Sequence, residues 1–83
     1  MMIFYLPVIS RAEHNARIER GEKASGPYAF VFTRRTTIQE HLTHSFDLRT
    51  EDDQYVTSGA ANGPTMARSK AKRLGATFIV DEI

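Results

Sequence analysis

Apolar side chains cluster first in Met2–Ile9, a nearly continuous run of strand formers that predicts a strand covered on both faces, with Pro7 requiring an edge or bulge. Ser10 and Glu13 then stand at capping-box spacing, in which a serine oxygen and a glutamate satisfy free backbone donors at a helix start. This predicts a helix over 11–20. Its apolar stripe is only Ala12, Ala16 and Ile18, so Ala16–Arg20 as the first arm of a hairpin is the alternative. Gly21–Pro27 gathers turn formers into a loop, and Tyr28–Thr33 is dense in aromatic and β-branched residues, the clearest strand in the chain.

Thr37–Glu40 repeats the capping-box spacing, and Ile38 with Leu42 predicts a short helix ending near His44. Alternation over Ser45–Arg49, a charged turn at Thr50–Asp53 and strand-like Gln54–Ser58 predict an antiparallel hairpin. Gly59–Pro64 breaks regular structure. A helix over 65–74 follows, with Met66, Ala67, Ala71 and Leu74 as its buried stripe and Gly75 as its left-handed stop, before Ala76–Val80 returns as a strand. Alternation assigns Phe30, Phe32 and Phe78 to the core and leaves Tyr5, Tyr28 and Tyr55 near the surface.

This order predicts an α+β fold: a small two-layer sandwich whose four- or five-stranded mixed or antiparallel sheet carries two or three short helices on one face. The 83 residues suit a single domain, 1–83, and no internal repeat or linker divides them. The absence of cysteine excludes disulfides, cysteine metal ligands and thiol catalysis. The longest apolar run falls far short of the roughly 20 residues that cross a bilayer, and the start of the chain does not read as a secretory signal. A cytoplasmic protein without membrane attachment is therefore expected. A core of this size supplies only about 3–5 kcal/mol of net stability, which favours surface binding over chemistry in a deep cavity.

Net charge is only +1, but it is unevenly distributed. The helix over 65–74 carries Arg68, Lys70, Lys72 and Arg73 and no acid, enough to neutralise several phosphates, and Arg34 and Arg35 extend this patch if strand and helix are neighbours. The bland alternative is a solvated helix face complementing the helix dipole. Residues 40–53 hold Glu40, Asp47, Glu51, Asp52 and Asp53 against Arg49, an acidic segment able to imitate nucleic-acid phosphates or simply to solvate a hairpin tip. His41 and His44, three apart on a helix with Asp47 following, have a spacing that allows a shared metal, but the His-Glu-x-x-His pattern is missing and a pair of surface histidines is the commoner meaning of such spacing. His14 beside Glu13 diverges by about 100° on a helix and makes a poor acid–base pair. The loop Gly59–Thr65 lacks the lysine of a nucleotide-binding loop. No catalytic set, metal site or cofactor is expected.

Tyr55–Gly59 running into Ala67–Gly75 resembles the last strand and basic second helix of double-stranded-RNA-binding domains, but the preceding order of elements and the strand after the helix depart from that fold, so no role is carried over. In size and layout the chain resembles small phage-encoded inhibitors, anti-CRISPR proteins among them. That resemblance covers architecture only; small size, the missing catalytic set and the separated charge patches point to a non-catalytic binding protein docking, as such an inhibitor would, on a host protein or nucleoprotein complex that handles nucleic acid, with the basic helix, Arg34, Arg35 and the acidic Glu51, Asp52 and Asp53 as its contacts. The alternatives are a direct DNA- or RNA-binding module using helix 65–74 and a small metal-dependent nuclease centred on His41, His44 and Asp47. A homodimer formed by continuing the sheet is a further expectation.

Overall fold

A computed structural model of the chain describes residues 6–34 and 41–82. In chain order the elements are β1 (Val8–Ser10), α1 (Arg11–Glu19), β2 (Tyr28–Thr33), β3 (His44–Arg49), β4 (Tyr55–Ala61), α2 (Pro64–Arg73) and β5 (Phe78–Asp81). They form one five-stranded sheet in the order β1-β5-β2-β3-β4. β5 lies parallel to both β1 and β2, whereas β2, β3 and β4 are successively antiparallel. The α+β class and the mixed sheet are those the sequence predicts. Met2–Tyr5, Arg35 and the proposed helix start at Thr37–Glu40 lie outside the described residues.

The two helices, however, take opposite faces instead of sharing one. α2 packs its Ala67 and Ala71 with Ala29, Val31, Phe46, Leu48 and Ile79. The intervening residues Tyr28 and Phe30 join Phe78 and Val80 on the other side, where His14 of α1 meets the rings of Tyr28 and Phe30. Connection topology supplies the reason. From β1 through α1 to β2 the chain moves one way across the sheet, and from β4 through α2 to β5 it moves back. Parallel crossovers are right-handed, so two that run in opposite directions pass over opposite faces.

Several local expectations hold and some are corrected. α1 forms, and Ser10 Oγ accepts from Glu13 N at 3.1 Å, so Ala16–Arg20 is no hairpin arm. α2 ends in the expected left-handed Gly75 (φ 107°), with Ala76 N donating to Ala71 O and Gly75 N to Lys72 O, the reciprocal pair that closes a helix C-terminus. Its buried stripe is narrower than predicted, because Met66 and Leu74 are 42% and 54% exposed. Tyr28, expected at the surface, is 1% exposed.

β4 also runs on through Gly59, where a break was expected. A Cβ on Gly59 would come within 2.7 Å of the Phe46 ring, so the missing side chain lets the opposite aromatic lie across the strand and cover it. The hairpin contains a bulge, since Leu48 pairs with Thr57 while Arg49 pairs with Tyr55. No helix among the described residues is long and apolar enough to cross a membrane.

Candidate interaction surface

The four cations of α2 do not form one patch. Residues three and four apart share a helix flank, so Arg68 and Lys72 fall on one flank and Lys70 and Arg73 on the other, with Ala67 and Ala71 between them on the sheet. The partners agree with this division. Arg68 donates to Asp81 of β5 at 2.5 Å in a half-buried pair, while Lys70 Nζ reaches the carbonyl of Ala60 on β4 at 2.9 Å. Arg68 is thus part of the fold, and its Nε and Asp81 Oδ1 are enclosed without hydrogen-bond partners. Arg73 is exposed, and no described residue pairs with it. It stands between two shallow grooves, one with Asn62, Pro64 and Met66, the other with Phe46, Gly59, Ala60, Lys70 and Leu74. The absence of any acid in the first turn and the cations in the last leave α2 uniformly basic.

Arg34 is not beside this helix. It continues the alternation of β2 past Thr33, on the side of Tyr28 and Phe30 and away from α2, and its Nη1 is enclosed without a partner. Arg35 is outside the described residues.

The acidic turn lies on the α1 face. Asp53 adopts φ 65°, a left-handed conformation that aspartate tolerates better than most residues, within a turn closed by Asp53 N to Thr50 O and Thr50 N to Gln54 O. That geometry brings its carboxylate to the Tyr28 hydroxyl, from which it accepts a hydrogen bond, and within 3.6 Å of Arg49 Nη1. Glu51 and Asp52 remain exposed beside a cleft that reaches His14, Ile18 and Lys23. The basic flanks of α2 and the acidic turn therefore occupy opposite faces of the sheet.

The histidine constellation is not assembled. His44 begins β3 and its Nδ1 lies 2.8 Å from Thr43 Oγ1, so His41 and His44 do not share a helix turn. Strand alternation puts His44 with Phe46 and Leu48 on the α2 face and Asp47 on the other. No group of three metal-ligating side chains occurs among the described residues. Glu13 is engaged by Arg17 at 3.1 Å, and His14 points instead into the aromatic face.

Two features escaped sequence reasoning. The first is the closure of the α1 face by His14, 5% exposed against Tyr28 and Phe30, with the Arg11 guanidinium 4.4 Å from the Phe30 centroid. Burial foremost, then the charge of Arg11, holds the His14 imidazole below its usual 6.5 against the upward pull of Asp53. Burial and the bond to Asp53 raise the Tyr28 hydroxyl well above 10. The signal was the lack of any large apolar residue in α1 at the position facing the sheet. The second feature is the outer edge of β4, with which no described residue pairs.

No protein-family model matches the chain, and no match is found among the curated proteins or the solved structures.

Proposed function

We propose that the protein is a small non-catalytic binding protein that docks on a host protein or nucleoprotein complex handling nucleic acid and blocks it, as a phage-encoded inhibitor does. The observation that carries this reading is the β4-side flank of α2, where exposed Met66 and Leu74 stand beside the exposed cation Arg73 and the tethered cation Lys70. Methionine and arginine interleaved over shallow apolar grooves is the composition of a protein-binding surface, where arginine anchors are frequent hot spots. The acidic turn on the opposite face adds a second contact of opposite sign and orients the molecule in the field of its partner.

Division of the cations disfavours the direct nucleic-acid module. Two cations on one flank neutralise about two phosphates, which gives a log–log salt slope of only about −1.8 on duplex DNA, far from the 6–10 contacts of strongly salt-dependent binders. Affinity capture from host lysate after nuclease treatment, with wild-type protein and with Arg73→Glu, tests the reading. A stoichiometric protein recovered by the wild type and lost by the variant, then bound again in purified form, supports it. Recovery dominated by nuclease-sensitive nucleic acid, or a partner indifferent to the reversal, overturns it.

A further inference from the structure

We infer that the outer edge of β4, together with the groove between β4 and α2, is a docking site for an extended acidic peptide that adds a sixth strand to the sheet. This deepens the reading of α2 as the docking helix and rests on it.

The hydrogen-bond phase of the hairpin identifies what the edge offers. Arg34 N donates to Thr43 O at 2.8 Å, and in an antiparallel ladder hydrogen-bonded pairs alternate with non-bonded ones. With Phe32 opposite Ser45, Phe30 opposite Asp47 and Tyr28 opposite Arg49, the odd residues of β3 direct their backbone groups to β2. His44, Phe46 and Leu48 then bond Ala61, Gly59 and Thr57 of β4. The bond from Thr50 N to Gln54 O, at an even position of the same ladder, agrees. Ser58 and Ala60 therefore present their N–H and C=O groups outward, unused by the sheet.

One of those groups is covered. The Ala60 carbonyl accepts from Lys70 Nζ, so a lysine blunts the edge near its end, while the bulge near Val56 blunts its start. A cap of this kind is exchangeable: an incoming backbone N–H can replace Lys70 on the carbonyl, provided the released ammonium gains a new partner. A carboxylate on the incoming strand supplies it. Arg73 stands beside the same groove with no described partner, and no acid of α2 neutralises either cation.

Beside these cations the shallow groove is lined by Phe46, Gly59 and Leu74, with an open volume of about 240 Å³. Side chains two apart on a strand share a face. The ligand is thus an extended segment carrying a carboxylate for Lys70 and Arg73 and, two residues away, an apolar side chain for the Phe46–Leu74 groove. Main-chain bonds supply affinity in this mode of recognition and the alternate side chains supply selectivity.

The test is selection of a random linear peptide library on the wild-type protein, followed by affinity measurement with one enriched, labelled peptide. Enriched sequences are expected to place Asp or Glu two positions from an apolar residue. Binding should weaken by about tenfold or more in Lys70→Glu, and by a similar factor in Ser58→Pro, whose missing N–H faces away from β3 and leaves the hairpin ladder intact. Lys72→Glu, the same charge change on the other flank, should leave affinity within about twofold. Amide shifts on peptide addition should centre on Ser58 and Ala60, a readout that does not depend on the proline variant folding. Failure to enrich acidic peptides, binding that survives Lys70→Glu, or shifts that bypass β4 overturns the proposal. So does protection of the β4 edge by self-association without peptide, which would make a second copy its occupant. Because the selection uses no host component, it can fail while the lysate partner is found, or succeed while none is.

Discussion

The two faces of the sheet are closed by different chemistry. Beneath α2 the contacts are small and apolar: Ala29, Ala61, Ala67, Ala71 and Ala76 let the helix approach closely, and Phe46 and Leu48 fill the remaining space. Beneath α1 the layer is aromatic, Tyr28, Phe30 and Phe78, and its lid is polar, made of His14, the Arg11 guanidinium and the acidic turn through Asp53. Tyr28 and Phe78 stack at 5.0 Å, while His14 and Phe30 meet edge-on. A face closed by alanines leaves the flanks of its helix available for docking. A face closed by titratable groups makes its packing depend on pH.

The largest expected effect falls on the alanine face. Phe46→Ala removes the ring that covers both the core and Gly59, at a cost of about 3–5 kcal/mol, which is comparable to the whole stability of a domain this small. Chemical denaturation should find it unfolded or nearly so. Gly59→Ala should destabilise the wild type through its clash with the same ring. A stabilised background would show the two changes to be strongly non-additive.

On the same side of the molecule, Arg68→Ala strands Asp81 in a half-buried site and should cost about 1–2 kcal/mol, discounted from a fully buried pair because both side chains retain some solvent. Replacing both partners by apolar residues should recover most of that loss. Stability intact after Arg68→Ala would show that the pair contributes only geometry.

The aromatic face should respond to pH at both ends. The His14 pKa is lowered in the folded state, so the unfolded chain binds more protons below its ordinary 6.5. Stability is therefore kept above about pH 6.5 and falls as pH drops through the lowered folded value. The Tyr28 pKa is raised, so stability is kept below about pH 10 and falls above it as the unfolded chain ionises. Denaturation midpoints across pH should show His14→Phe flattening the acid limb. Tyr28→Phe should flatten the alkaline limb and cost about 1–2 kcal/mol at neutral pH through loss of the bond to Asp53. An acid limb unchanged in His14→Phe would assign it to the carboxylates. The smallest effect belongs to Arg73→Glu, an exposed change that should shift stability by less than about 0.5 kcal/mol, so any change in partner capture by that variant reports binding.

Much of the local structure was legible because its causes are local. Ser10 caps α1, Gly75 stops α2, and the aromatic density of Tyr28–Thr33 makes β2, each through contacts within a few residues. The candidate site was legible only as composition. Arg68, Lys70, Lys72 and Arg73 are visibly a basic helix, but Asp81 and the Ala60 carbonyl, which hold Arg68 and Lys70, come from strands distant in sequence. His14 read as a helix-surface residue because its burial depends on the sheet beneath it. Gly59 read as a breaker because Phe46, thirteen residues earlier, supplies the ring that makes it a strand residue.

The sequence by itself determined most of the elements, the caps at Ser10 and Gly75 and the α+β class, since periodicity and capping act over one or two turns of chain. Tertiary structure alone decided that the helices lie on opposite faces, that the acidic turn folds over Tyr28, and that β4 is an edge with Lys70 on its outward carbonyl. Those outcomes follow from the direction of two crossovers and the phase of one hydrogen-bond ladder. Both are relations between segments far apart in the chain, and no local pattern encodes them.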